Sequence, residues 1–150
     1  MSDIPKLFLV EDNRDDEDLA RLAIELSGVT CQIQVARDRA DALDMLFGSA
    51  ESPTQRLMVP PDLVLLDLKM PRVSGLEVLQ KLRSDPRTKQ VPVVIVTSSS
   101  ERKDLVDAYK FGASGYVKKP VDLEDFNRAI SDICGFWLQS NVLPPGPTEV

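Results

Sequence analysis

The sequence contains no histidine, and that absence narrows the chemistry sharply. Ser-His-Asp and Cys-His nucleophilic catalysis are impossible, and a zinc site would lack its usual imidazole ligands. Cysteine is scarce as well. Cys31 and Cys134 stand far apart with neither C-x-x-C spacing nor a surrounding framework, so a disulfide scaffold is excluded and two buried, reduced thiols are expected. No run approaches the ~20 apolar residues that a membrane span needs. The start, Met1-Ser2-Asp3-Ile4-Pro5-Lys6, lacks a charged-then-apolar leader, and Leu7–Val10 is too short to be one. A cytoplasmic location is therefore expected. Positive charge is in deficit too: a net charge of -6 speaks against nucleic-acid partners and against adsorption to an anionic membrane.

What is present fits one domain of 150 residues with enough apolar mass for a core. Lys6-Leu7-Phe8-Leu9-Val10 is an apolar run that stops abruptly at acids, as a buried strand would. Leu19, Leu22, Ala23 and Leu26 recur at the spacing of an amphipathic helix, which Gly28 ends. Cys31 to Ala36 reads as a second strand, and Asp38 caps a helix carrying Ala42, Leu43 and Leu46. A looser stretch runs from Gly48 to Pro61. Asp62 to Asp67 is the third strand, followed by a helix from Gly75 through Leu76, Leu79 and Leu82 that breaks at Asp85-Pro86. Val93-Val94-Ile95-Val96 is the most β-branched run. A helix through Leu105, Ala108 and Tyr109 reaches Gly112, and Gly115–Lys118 forms a fifth strand. Asp122 caps a last helix striped by Phe126, Ile130, Ile133 and Trp137.

Five βα units in succession predict an α/β fold: a five-stranded parallel sheet of order 2-1-3-4-5, with helices on both faces. In such sheets ligands bind beyond the carboxyl ends of the strands, at the switch point between strands 1 and 3. Glu11 and Asp12 end strand 1 and Asp67 ends strand 3, so three carboxylates converge there. Two unit charges about 4 Å apart repel by about 4 kcal/mol at an effective dielectric near 20. Such a cluster raises its pKa values or recruits a cation. A hard, oxygen-seeking ion, Mg²⁺ or the similar Mn²⁺, fits best. Asp15, Asp16, Glu17 and Asp18 read differently, as a solvated acidic face favoured by the helix dipole. Thr97 after strand 4 and Lys119 after strand 5 complete the edge with a hydroxyl and a mobile positive charge, both suited to phosphoryl oxygens. Taken alone, Thr97 reads as a strand-end hydroxyl and Lys119 as a surface lysine.

Leu9-Val10-Glu11-Asp12-Asn13, Leu66-Asp67-Leu68-Lys69-Met70-Pro71, Gly75-Leu76-Glu77, Val94-Ile95-Val96-Thr97-Ser98 and Gly112 to Pro120, in this order, resemble the two-component response-regulator receiver domain. The resemblance covers about residues 5 to 135. It implies that Asp67 is the phosphoacceptor. Asp12 and Asp67 would bind Mg²⁺ directly with the backbone carbonyl of Lys69, and Glu11 would act through a coordinated water. Lys119 would hold a phosphoryl oxygen, Thr97 would be the switch hydroxyl and Tyr116 the aromatic that repacks with it. Lys69 and Ser99 would flank the site and tune access of the hydrolytic water. The Lys119-Pro120 bond is usually cis in receivers. The phosphoryl donor, since this chain has no histidine, would be a sensor histidine kinase or phosphotransferase acting in trans.

The expected organisation is a lead of residues 1–5, a receiver domain of 6–138 and a Pro-rich tail of 139–150 with no output domain. The signal would then leave by protein contact with a downstream target. The Gly48–Pro61 stretch, Ile133 to Leu138 and Leu143-Pro144-Pro145 are similar to the single-domain regulators paired with bacterial phytochromes, which often form homodimers. Phe136 and Trp137 have two readings, caps on the domain's own core or anchors at a dimer seam. Three rivals remain. An unphosphorylated adaptor would have lost Asp67, an acid of the pair or Lys119, and none is lost. A haloacid-dehalogenase-like phosphatase would carry D-x-D after strand 1, whereas Lys69 stands two residues beyond Asp67. A flavodoxin-like FMN module needs a hydroxyl- and glycine-rich loop where Glu11-Asp12-Asn13-Arg14-Asp15 stands.

Overall fold

A computed structural model of the chain describes residues 4–48, 59–70 and 73–145. Its main sheet has five parallel strands: β1 (Lys6–Val10), β2 (Gln32–Ala36), β3 (Leu63–Leu66), β4 (Val93–Thr97) and β5 (Gly115–Lys118). They pair in the spatial order β2-β1-β3-β4-β5, as the alternation of apolar runs predicts. Helices α1 (Arg14–Leu26), α2 (Arg39–Phe47), α3 (Leu76–Ser84), α4 (Arg102–Lys110) and α5 (Leu123–Gly135) make the connections, and a π-helical turn, Phe136–Ser140, extends α5. The sequence did not announce a small antiparallel hairpin, Lys69–Met70 with Val73–Ser74.

Strand pleating divides the core into two halves, because successive side chains point to opposite faces. Phe8, Val10, Val64, Leu66, Val93 and Ile95 point to the face covered by α2, α3 and α4. Leu7, Leu9, Leu63, Leu65, Val94 and Val96 meet α1 and α5 on the other. β3 and β4 are buried throughout, which is why both read as unbroken apolar runs rather than as alternating ones. Helix starts follow their caps: Asn13, Asp38 and Asp122 each accept a hydrogen bond from a first-turn amide. At Gly112 the backbone lies in the left-handed region (φ 101°), where a side chain is strained. Arg83 donates to the Gly112 and Val91 carbonyls at 2.9 and 2.7 Å, tying α3 to the approach of β5.

The α1 stripe is corrected. Ala20, Ala23 and Ile24 face the core, while Leu19, Leu22 and Leu26 are exposed. Small residues let α1 lie close to the sheet and beside α5, so the inward phase is the one with less bulk. Glu17 is corrected as well. It is 2% exposed, with one oxygen 3.0 Å from Arg37 Nε and the other 3.1 Å from Arg21 Nε and 3.0 Å from Arg37 Nη2. Burial works against ionisation there, but the two guanidinium groups hold the carboxyl below its ordinary range. Asp15 and Asp18 do lie on the solvated face.

Both cysteines are free. Cys134 is buried, and desolvation with the neighbouring Cys31 pushes its thiol up to about 12; Cys31 is only half-buried. Trp137 packs on the α1/α5 half of the core, whereas Phe136, edge-on to it at 5.1 Å, is 52% exposed. Among the described residues no helix is long and apolar enough to cross a membrane. Most of the Gly48–Pro61 stretch and the last five residues of the tail lie outside the described residues.

Candidate functional site

Parallel register brings the strand ends level. Val10 pairs with both Ala36 and Leu66, so the residues that follow β1 and β3 emerge side by side. The Asp67 amide donates to the Val10 carbonyl at 3.1 Å and the Glu11 amide to the Ala36 carbonyl at 3.0 Å. On the far side Thr97 pairs with Lys118, and the Lys119 amide donates to the Thr97 carbonyl at 2.7 Å. Backbone hydrogen bonding thus fixes Glu11, Asp67, Thr97 and Lys119 at one rim before any side chain interacts.

Glu11, Asp12 and Asp67 each offer a carboxylate oxygen, all within 4.8 Å of one another. Glu11 and Asp67 are buried, at 4% and 7% exposure. Clustered oxygen donors of this kind suit a hard divalent cation, so the residues present fit the ion that the sequence implies. The Lys119 ammonium lies over the cluster, 2.8 Å from Glu11 Oε2, 3.2 Å from Asp67 Oδ2 and 3.3 Å from Asp16 Oδ2. Burial alone would lower the Lys119 pKa, but its hydrogen bond to Glu11 and the charges of Asp67, Glu11 and Asp16 raise it above the ordinary value. Glu11 moves the other way for an acid. Desolvation, aided by the Asp67 charge and only partly opposed by Lys119, pushes its carboxyl up to about 7.

Glycine has a steric role here. At Gly75 a Cβ would fall well inside contact distance of the Asp67 carbonyl oxygen and 3.1 Å from Leu68 Cα. Both obstacles are backbone and cannot swing aside, so any side chain at this position would displace Asp67.

Thr97 is fully buried, and its hydroxyl accepts from the Ser99 amide at 3.3 Å. The Tyr116 hydroxyl donates to the Ser99 carbonyl at 3.4 Å, and its ring packs on the core under α2, α3 and α4. Burial raises the Tyr116 pKa. Ser99 itself donates to Asp104 and accepts from the Glu101 amide, so its side chain is committed to the start of α4. The Lys119-Pro120 bond is trans, contrary to the cis expectation; X-Pro bonds favour trans by about 0.5–1 kcal/mol. Lys119 still reaches the acids. Lys69 lies in the hairpin, paired with Ser74.

Sequence reasoning placed Glu11, Asp12, Asp67, Thr97 and Lys119 at one edge, and they are there. It missed Asp16 as a partner of Lys119, because a helix-start aspartate looks the same whether or not a cation from a distant strand end meets it.

Comparison with known proteins gives the same frame. Residues 7–131 match the family model of the response regulator receiver domain. Response regulator Rcp1 of Synechocystis is 31% identical over 144 residues, covering 95% of this chain and 96% of the relative. The crystal structure of the Mn²⁺-bound form of a response regulator Rcp1 superposes with a TM-score of 0.83 at 30% identity, over 94% of this chain and 99% of that one. The phosphorylated cyanobacterial phytochrome response regulator RcpA gives a TM-score of 0.84 at 33% identity, covering 95% of this chain and all of that one (100%). The bacteriophytochrome response regulator RtBRR is 41% identical with a TM-score of 0.73, over 98% of this chain and 88% of that one. With the ordered strand-end acids, the lysine over them and these likenesses together, the chain belongs to the response regulator receiver domain family.

Proposed function

We propose that this chain accepts a phosphoryl group on Asp67 and signals by the change that follows. The observation that carries this reading is the convergence of Glu11, Asp12 and Asp67 beneath the Lys119 ammonium. Asp12 and Asp67, with the Lys69 carbonyl, would hold Mg²⁺ or Mn²⁺ directly, and Glu11 would hold it through a water. When bound, the ion offsets negative charge on the transferring group. An Asp67 oxygen attacks phosphorus in line, and the bond from phosphorus to the donor atom breaks with its electron pair leaving on the donor. Lys119 holds an equatorial oxygen of the transferred group.

The donor is a sensor histidine kinase or phosphotransferase, since no imidazole is available in this chain. Likeness to RcpA and RtBRR favours a phytochrome-type kinase, in the cytoplasm. Phosphoryl oxygens on Asp67 would draw the Thr97 hydroxyl away from the Ser99 amide. Tyr116, bonded to the same residue's carbonyl, would then repack and alter the face of α4, β5 and α5 presented to a downstream protein. The receiver unit would span 6–138, with 139–150 as a tail and the exposed Phe136 ring at a homodimer seam.

Acetyl phosphate with Mg²⁺, read by intact mass, tests the chemistry. The expected result is one phosphoryl adduct in the wild type, abolished by EDTA and by Asp67→Asn. An adduct that survives Asp67→Asn would overturn the assignment. A wild type that stays unmodified by acetyl phosphate and by a cognate kinase would favour the unphosphorylated adaptor.

A further inference from the structure

We infer that Asp16, in the first turn of α1, is a positioning residue that holds Lys119 back from the phosphoryl position and so slows phosphoryl acceptance. This deepens the proposed function and rests on it. An ammonium has three N–H donors and no more. In this structure Lys119 Nζ has three carboxylate partners: Glu11 Oε2 at 2.8 Å, Asp67 Oδ2 at 3.2 Å and Asp16 Oδ2 at 3.3 Å. Every donor is committed, so holding a phosphoryl oxygen requires one of these contacts to break.

The three partners are not equivalent. Glu11 and Asp67 belong to the acid cluster that suits a divalent cation, and a cation there would share their charge. Asp16 lies outside that cluster, so a cation held there would leave the Asp16 contact with Lys119 in place. Its side chain is 42% exposed, against 5% for Glu11 and 8% for Asp67, so water can take over its oxygen with little penalty. Asp16 is therefore the contact that competes with the phosphoryl group and the one most readily given up. It also borders an open groove of about 240 Å³ beside Lys119, Pro120 and Leu123, which leaves room for the carboxylate to swing away.

The test is the rate of phosphorylation by acetyl phosphate at saturating Mg²⁺, followed by intact mass, in four proteins. Asp16→Asn keeps the size and loses the charge; it is expected to react about two- to fivefold faster, the range a half-exposed ion pair can supply. Asp16→Glu restores the charge and stays near the wild-type rate. In a Lys119→Ala background, followed over longer times, Asp16→Asn brings no gain, because the effect runs through the ammonium. A gain that persists without Lys119 would mean simple repulsion of the anionic donor and would overturn the inference. So would an unchanged rate in Asp16→Asn. A residue that merely supports the start of α1 would shift thermal stability and leave these ratios flat. Failure of the underlying reading looks different: there, the wild type itself gains no Asp67-dependent adduct.

Discussion

Glu11 and Glu17 are both almost wholly buried, at 4% and 2% exposure, yet the fold treats their carboxylates in opposite ways. Glu17 is closed on both oxygens by Arg21 and Arg37 and ionises more readily than a free glutamate. Glu11 shares one ammonium with Asp67 and Asp16, faces Asp67 as a like charge, and ionises only near pH 7. The first arrangement is complete within the protein. In the second, three carboxylates share the Lys119 ammonium, and two of them, Glu11 and Asp67, repel each other as like charges. A buried acid held by its own guanidinium pair supports the fold; one desolvated and crowded against a like charge, and raised by both, marks the place where chemistry happens.

The largest effect is expected at the Glu17 clamp. Removing one partner of a buried ion pair costs about 3–5 kcal/mol, but Arg21 and Arg37 are half-exposed and can turn to water. Glu17→Ala is therefore expected to lose about 2–3 kcal/mol in urea unfolding, with phosphorylation by acetyl phosphate unchanged in the protein that remains folded. A large loss of phosphorylation rate would mean that the clamp belongs to the site.

A smaller effect lies in the pH dependence of metal-free stability, where the two glutamates pull with opposite sign. Glu17 has a depressed pKa, so its contribution is complete above about 4.5 and is lost as the pH falls below that value. Glu11 has a raised pKa, so its contribution is complete below about 4.5 and is lost as the pH rises through about 7. Lys119 stays cationic across both windows. One group can impose at most about 1.4 kcal/mol per pH unit, and the lysine returns part of that as Glu11 ionises. Urea midpoints in EDTA should show Glu11→Gln flattening the decline between pH 5 and 7, and Glu17→Gln flattening only the acid limb.

These two glutamates also show how far the sequence could be read. The site was legible because β1 and β3 are apolar runs that stop at Val10 and Leu66, so the carboxylates after them could be placed level from strand order alone. Lys119 and Thr97 followed from the same rule at β4 and β5. Glu17 was not legible: its i+4 partner Arg21 was visible, but the decisive Arg37 arrives from the end of β2. The inward phase of α1 was missed because leucine outweighs alanine in any hydrophobic count, whereas close packing against the sheet prefers the smaller residue. Ser99 stands beside Thr97, to whose hydroxyl its amide donates, but the engagement of its own hydroxyl by Asp104 and the Glu101 amide depends on tertiary placement that the sequence does not show.

Glu11, Asp12 and Asp67 each offer an oxygen within 4.8 Å of the others, a set suited to one hard divalent cation. A Mn²⁺ titration that follows the electron-spin-resonance signal of the free ion reads that seat itself. One saturable ion per chain is expected, weakened about tenfold or more in Glu11→Gln and unchanged in folded Glu17→Gln. Binding that Glu11→Gln leaves intact, or that Glu17→Gln removes, would contradict it.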